Sequence, residues 1–318
     1  MKVLVTGGAG FVAAHLVEHL HERWPDARVV GLDRPRGAAP GPAAAAMRLL
    51  EIDLTDPEAA ASVFDVVEPD HIVHLAGQSS VHQSWLDPGG TLRTNILGLV
   101  HLLDGARTRG LRPTVLVVGS ADEYGIVSPD ELPLTETAPL RGVSPYAVSK
   151  VAQGYLALEF RAAGMRILRT RTFPHTGPGR GEAFAESSFA RQIAEIEAGL
   201  KPPVIEVGNL EAVRDYADAR DIVRAYVDLL EKGHDGEVYN VCSGQGISIR
   251  GLLDLLLLRA KVQVEVRVDP ARLRPSDIPA LVGDNRRLCE HTGWAPRLTL
   301  DRTLGELLDA WRLHVKGT

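Results

Sequence analysis

Lys2-Val3-Leu4-Val5-Thr6-Gly7-Gly8-Ala9-Gly10-Phe11-Val12-Ala13 opens the chain and governs how the rest is read. Lys2 to Thr6 is a short apolar run rich in β-branched residues, as in a buried parallel strand. Gly7 and Gly10 follow at once. From Phe11 to Trp24 the apolar positions Phe11, Val12, Leu16, Val17 and Leu20 recur at helical spacing. The order is strand, glycine turn, helix. Glycine lets the backbone turn tightly and lets a pyrophosphate approach without meeting a Cβ. The helix N-terminus then offers free N–H groups and a positive dipole end to that phosphate. The spacing is G-x-x-G-x-x-A, and Ala13 is small enough for helix to pack on strand. Gly7, Gly10, Phe11 and Val12 are therefore candidate dinucleotide contacts.

A second strand over 27–32 ends at Asp33. An acidic residue at that point bonds the adenosine ribose hydroxyls, which favours NAD(H). Arg34 follows directly and suits a 2′-phosphate, so NADP(H) stays open. Further strands are expected near 47–52, 71–75 and 114–119, with helices near 11–23, 57–67, 90–108 and 145–163. This alternation predicts an α/β chain with a doubly wound parallel Rossmann sheet. Pro35 to Ala46 reads as a loop beside the adenosine end.

The second half changes character. Ile167 to Thr172 reads as a strand and Phe173 to Gly181 as a Pro/Gly-rich loop. A helix over 184–199 and a strand over 203–207 follow. Val213 to Ala217 and Val238 to Val241 read as short strands flanking a helix at 220–232. Helices near 249–259 and 301–314 come last, separated by Pro-rich loops at 269–283. The expected division is a dinucleotide-binding domain over 1–172, with 213–241 folding back onto it. The remainder of 173–318 forms a smaller α/β substrate lobe over the carboxyl ends of the strands.

Composition sets bounds. The chain has 318 residues, 45% of them hydrophobic, and a net charge of −6. That length gives ample core. The acidic balance offers no general attraction to nucleic acid or membrane. Cys242 and Cys289 are too few for a disulfide framework, so a reducing cytoplasm is expected. No apolar run approaches the ~20 residues of a membrane span. The chain starts directly on a strand, so no signal peptide is expected.

Tyr146 and Lys150 stand four residues apart, one helical turn, and so project from one face. A neighbouring ammonium favours the phenolate and lowers the tyrosine pKa. Ser120 ends a strand where a hydroxyl can bond a substrate oxygen, and Asp122 is a candidate acid, base or loop cap. His71 to Gly77 is a strand running into a small-residue turn that lets a cofactor pass. Gln78, Ser79, Ser80 and His82 then form a loop that faces either solvent or a polar substrate. Arg191, Arg214 and Arg274 are candidates for gripping a diphosphate, since guanidinium forks match phosphate oxygens. His15 and His19 have zinc-like spacing but no third ligand, so a surface pair is expected and no metal. The stripe Leu252 to Leu258 reads as core or interface.

With these residues in hand the chain resembles the extended short-chain dehydrogenase/reductases over essentially its whole length. Thr6 to Val12, His74-Leu75-Ala76, Asn95 and Tyr146-x-x-x-Lys150 carry the likeness. A narrower resemblance is to the branch acting on GDP-sugars, in particular GDP-6-deoxy-4-keto-mannose reductases. It rests on Gln78 to Trp85, Asp122-Glu123-Tyr124-Gly125, His175 to Gly179 and Ser188 to Ile193. It rests further on Val207 to Ala212, Tyr239 to Gly244 and Leu273 to Asp277. Four positions depart from the pattern: Ala13, Gly77, Pro174 in place of an asparagine, and Asp122 in place of a glutamate.

The resemblance implies NAD(P)H-dependent reduction of the C4 ketone of a GDP-4-keto-6-deoxy-hexose, giving a product such as GDP-rhamnose. It implies catalysis by Ser120, Asp122, Tyr146 and Lys150. It assigns the cofactor to the glycine turn with Asp33, Arg34, Asp53, Leu54, Leu75, Ala76, Gly77 and His175, besides Tyr146 and Lys150. It assigns the substrate to Gln78, Ser80, Arg191, Arg214, Arg274 and Asp277. It also implies a homodimer, with the helices near 90–108 and 145–163 pairing as a four-helix bundle. The rival readings are a nucleotide-sugar 4,6-dehydratase or 4-epimerase that holds oxidised cofactor, and a silent NAD(P)-binding scaffold.

Overall fold

The computed structural model describes residues 1–35, 47–272 and 278–317. In chain order the first half runs β1 (Lys2–Thr6), α1 (Phe11–Arg23), β2 (Arg28–Asp33), β3 (Arg48–Glu51), α2 (Pro57–Ser62), β4 (His71–His74), α3 (Val81–Leu86), α4 (Pro88–Leu92), α5 (Gly98–Thr108), β5 (Thr114–Ser120), α6 (Pro145–Glu159) and β6 (Arg166–Thr172). Then come β7 (His175–Thr176), α7 (Ala185–Glu197), β8 (Val204–Val207), β9 (Val213–Asp215), β10 (Ala217–Asp218), α8 (Ala219–Lys232) and β11 (Val238–Val241). The chain closes with β12 (Gly246–Ser248), α9 (Ile249–Leu257), β13 (Glu265–Val268), β14 (Ala280–Leu281), α10 (Arg286–Thr292) and α11 (Leu300–Lys316).

Seven strands form one sheet in the order β11-β6-β5-β4-β1-β2-β3, all parallel. Order reverses between β1 and β4, which opens a crevice at their carboxyl ends. Val3, Leu4 and Val5 are wholly buried because each face of the sheet carries helices. One face packs Ala13, Leu16 and Leu20 of α1 against Ile222, Tyr226 and Leu229 of α8. The other packs Ala60 of α2 against Leu99, Leu102 and Leu103 of α5. A separate core joins Phe189 and Ile193 of α7, Leu252 and Leu256 of α9, and Leu304 and Leu308 of α11. The Leu252–Leu258 stripe thus divides: Leu252, Leu253 and Leu256 are core, whereas Leu258 is exposed.

Several elements differ from the sequence reading. The single helix expected over 90–108 is α4, a π-helical turn over Arg93–Leu97, and α5. The π turn leaves the Asn95 carbonyl to accept from Gln153 Nε2 at 2.9 Å. The expected loop at 78–82 is cut short by α3, whose first turn Ser80 caps. The strand expected from Val213 to Ala217 is two. The buried Asp215 carboxylate accepts from the backbone N–H of Ser243 and Gly244, and this bends the chain from one small sheet into another. His15 and His19 are half-buried rather than a surface pair, and His15 Nε2 is hydrogen-bonded to the Pro178 carbonyl at 3.1 Å. Most of the loop Pro35 to Ala46, together with Arg274 and Asp277, lies outside the described residues.

Candidate active site

The β1–α1 turn and the β4 exit meet in the crevice. Gly7 has φ +69°, and a Cβ there would stand 3.0 Å from the Ala76 nitrogen and 3.1 Å from the Leu75 carbonyl carbon. Only glycine suits such a backbone-on-backbone approach. Thr6 Oγ1 ties the two turns, accepting from Ala76 N–H at 3.0 Å and bonding His74 Nδ1 at 2.9 Å. Burial, with the Lys150 charge second, pushes the His74 imidazole down to about 3, so it stays neutral. Asp33 ends β2 with one carboxylate oxygen accepting from Ala9 N–H and the other from Arg34 N–H, each at 2.9 Å. The acid therefore stands against the glycine turn. A glycine cradle at a helix N-terminus, backed by an acid on the next strand, fits a dinucleotide.

Other expected cofactor residues are placed less directly. Asp53 turns its carboxylate onto the backbone and hydroxyl of Thr55, both at 2.8 Å. Leu54 is buried, and its carbonyl bonds His101 Nδ1 at 2.9 Å. His175 lies with its ring parallel to Phe11, centroids 6.3 Å apart. Its imidazole is pushed down to about 4 by burial and then by the Arg180 charge.

Ser144 caps α6 and Pro145 opens it, so the first turn carries Tyr146 and the second Lys150. Ser120 stands close enough to the Tyr146 phenol to favour its ionised form. Lys150 Nζ donates to the Val118 carbonyl and to Gln153 Oε1, each at 3.0 Å. Asn95 completes the frame, donating to Ser149 Oγ at 2.8 Å and accepting from Gln78 N–H at 2.7 Å. The phenol shifts in the direction opposite to the one expected. Burial raises Tyr146 well above its usual range, and the Asp122 carboxylate adds to the rise. Lys150 is itself lowered by burial to about 8, against an opposing Glu123 charge. Burial is the main reason, the Asp122 carboxylate adds to it, and the ammonium that could oppose it is held by Val118 and Gln153.

That turn is built by Glu123, which the sequence reading quoted but gave no role. Its Oε1 accepts from Ser120 N–H at 2.9 Å and its Oε2 from Arg171 Nε at 3.2 Å, and both Glu123 and Arg171 are buried. A Cβ on Gly119 would fall 2.3 Å from Glu123 Oε1, so glycine there lets the carboxylate fold back under the serine.

The expected substrate residues separate. Gln78 Nε2 donates to the Ser80 carbonyl and to Thr91 Oγ1, and Ser80 caps α3, so both side chains close their own turn. Arg191 carries Glu195 at 2.7 Å and Glu182, and lines a groove of about 690 Å³ with Gln192, Lys201, Glu206, Arg267 and Arg272. Arg214, on β9, donates to the Val213 carbonyl at 2.8 Å. Arg180 was missed, although it directly follows the quoted string His175 to Gly179. Its guanidinium lies over the rings of Phe11 and Phe184.

A nucleotide crevice closed by a Ser–Tyr–Lys set defines an NAD(P)-dependent oxidoreductase of the short-chain dehydrogenase/reductase class. Comparison with known proteins narrows it. The family model described as GDP-mannose 4,6 dehydratase matches residues 4–307, and the chain belongs to that family. The GDP-6-deoxy-D-mannose reductase of Pseudomonas aeruginosa is 37% identical over 316 residues, covering 99% of this chain and 98% of its own. The GDP-mannose 4,6-dehydratase of Yersinia enterocolitica is 28% identical, covering 80% of this chain and 76% of its own. The solved structure of RMD from Pseudomonas aeruginosa complexed with NADPH superposes with a TM-score of 0.84 at 35% identity, covering 98% of this chain and 99% of that one. The Thermus thermophilus UDP-glucose 4-epimerase complex with NAD gives 0.86 at 31%, covering 98% and 99%. Among the described residues no helix is long and apolar enough to cross a membrane.

Proposed function

We propose that this protein reduces the C4 ketone of a GDP-linked 4-keto-6-deoxy-hexose to a GDP-6-deoxy-hexose such as GDP-rhamnose. The observation that carries the reading is the likeness to a GDP-6-deoxy-D-mannose reductase, 37% identical over 99% of this chain, against 28% over 80% for a GDP-mannose 4,6-dehydratase. Burial and the Asp122 carboxylate hold the proton on the phenol, with Ser120 in contact. The protonated phenol is the donor that ketone reduction requires. An epimerase or dehydratase cycle begins by oxidising the sugar, which asks the same tyrosine to take a proton. The family model and the dehydratase relatives favour that second reading, with Asp122 as the C5 base.

When bound, the nicotinamide supplies the hydride equivalent. Gly7, Gly10, Phe11, Val12 and Ala76 would hold the dinucleotide, and Asp33 favours NAD(H). Ser120 orients the C4 oxygen and Tyr146 protonates it. The Lys150 ammonium, held by Val118 and Gln153, would bond the nicotinamide ribose. Residues 1–172 with 213–241 form the dinucleotide half of the site. The groove holding Arg191, Lys201 and Arg272 receives the nucleotide of the substrate. Val148, Tyr155 and Leu156 of α6 are exposed apolar side chains, which supports pairing of this helix in a homodimer. Two free cysteines suit the cytoplasmic setting we assign.

Tyr146→Phe tests the assignment. Turnover should fall roughly 10²–10⁴-fold while cofactor affinity stays within about twofold. A phenylalanine variant with wild-type turnover sinks it.

A further inference from the structure

Gly119, Arg171 and Asn240 stand side by side in register on β5, β6 and β11, next to the strand end that carries Ser120. The space beside Gly119 is taken by Glu123 Oε1, which accepts from Ser120 N–H at 2.9 Å. In return the Ser120 hydroxyl accepts from Asp122 N–H at 3.2 Å, which leaves its own proton to donate. Arg171 holds the other carboxylate oxygen of Glu123 and donates also to the Tyr124 hydroxyl at 3.1 Å and the Glu136 carbonyl at 2.8 Å. Tyr124 extends the tie to Asn240 Oδ1 at 2.6 Å. The side chains of Arg171 and Glu123 are only 6% and 7% exposed.

A serine–glutamate capping box needs no such burial. Ser128 and Glu131 form the same box on a surface turn, where Glu131 pairs with the exposed Arg141. At Ser120 the carboxylate is instead sunk beside the lysine of the site. Glu123, Lys150, Arg169, Arg171 and Tyr155 line one cavity of about 10 Å³, room for a single water. Glu123 is the one carboxylate among the described residues lining it. His74 of β4 also stands near the lysine but is neutral, and Asp122 acts on Tyr146. The Glu123 charge favours the Lys150 ammonium against the burial that lowers it. Little water lies between buried charges to screen them. We infer that Glu123 is a positioning residue of the reduction: clamped by Arg171, it holds Ser120 at the ketone and supplies the counter-charge to Lys150. The inference rests on the proposed reductase function.

The test compares wild type, Glu123→Gln, Glu123→Asp and Glu131→Gln. The readings are kcat and KM across pH with NADH or NADPH and GDP-4-keto-6-deoxy-mannose, beside cofactor Kd and Tm. Glu123→Gln should lower kcat roughly 10- to 100-fold, the scale of a misplaced reacting group, with KM and cofactor Kd within about twofold. Its alkaline limb should lie at lower pH than that of wild type, because the ammonium has lost its counter-charge. Glu123→Asp keeps the charge but is one methylene short of Ser120, so it should restore the limb and leave kcat low. Glu131→Gln, the surface control, should keep wild-type kcat. A folded Glu123→Gln with wild-type kcat and limb overturns the inference. So does a loss of kcat that tracks weakened cofactor binding and a falling Tm with the limb unmoved, which would make Glu123 a structural cap. A fall in kcat alone, with binding, Tm and limb unchanged, supports the serine role and overturns the counter-charge. If Glu123→Gln does not fold because Arg171 is left unpaired, Glu123→Gln with Arg171→Met decides on the same readings, since it removes both buried charges. Wild type that oxidises neither cofactor with this substrate refutes the reductase reading instead, and the variants are then judged on the nucleotide sugar that wild type converts without added reductant.

Discussion

Gly7→Ala probes the turn on which cofactor binding depends. Two costs can be separated. Alanine at φ +69° costs about 1–2 kcal/mol in backbone strain alone. Its Cβ would also lie 3.0 Å from the Ala76 nitrogen and 3.1 Å from both the Ala76 Cα and the Leu75 carbonyl carbon. These are backbone atoms, and the Thr6–Ala76 bond holds them, so they yield little. Overpacking of this kind adds about 1–3 kcal/mol. Gly110 supplies the control: φ is +70° and nothing lies within 4 Å, so Gly110→Ala carries the strain without the crowding. Urea unfolding should therefore rank Gly7→Ala below Gly110→Ala by about 1–3 kcal/mol. Spreading β1 from the β4 exit also distorts the cradle, so NAD(P)H affinity, read by quenching of protein fluorescence, should fall at least about tenfold in Gly7→Ala only. Equal destabilisation of the two variants, or wild-type cofactor affinity in Gly7→Ala, would refute this account of the turn.

Two predictions concern pH. Lys150 is lowered to about 8, so its ammonium is present below that pH and lost as pH rises through it. Turnover should fall along an alkaline limb near that value, and a rate that holds steady to well above it contradicts the role given to the lysine. His74 and His175 are lowered to about 3 and about 4 by burial, whereas in the unfolded chain both titrate near ~6.5. Between those values the unfolded chain takes up protons that the folded chain refuses, so the stability present above pH ~6.5 declines as pH falls. Over roughly two units below that point each imidazole costs about 3 kcal/mol. Urea unfolding across this range tests it, and a stability that stays level on acidification argues against two buried neutral imidazoles.

The parallel sheet was legible because its strands are apolar runs with local helical punctuation. Lys2 to Thr6 and Ile167 to Thr172 needed no distant partner to be recognised. The glycine turn, Asp33 and the Tyr146–Lys150 pair were legible for a related reason: each is a local pattern at an element's end. What escaped depends on contacts far along the chain. β13 is four exposed residues whose only order comes from pairing with β8. The π turn at Arg93–Leu97 reflects a bond from Gln153, more than fifty residues on. The direction of the Tyr146 shift was misread because one helical turn suggested a lysine–phenol contact. Burial of the phenol decides the shift, and Val118, from a neighbouring strand, takes the ammonium. Arg180 drew no reading from the sequence, since no spacing rule says that its loop folds over Phe11.

The central claim is a reduction, and absorbance at 340 nm tests it most directly. Purified protein is mixed with NADH or NADPH and GDP-4-keto-6-deoxy-mannose. The account predicts stoichiometric loss of absorbance, faster with NADH because of Asp33. No loss with either cofactor, together with product formed from GDP-mannose or another nucleotide sugar without added reductant, would contradict it and make the protein a dehydratase or epimerase.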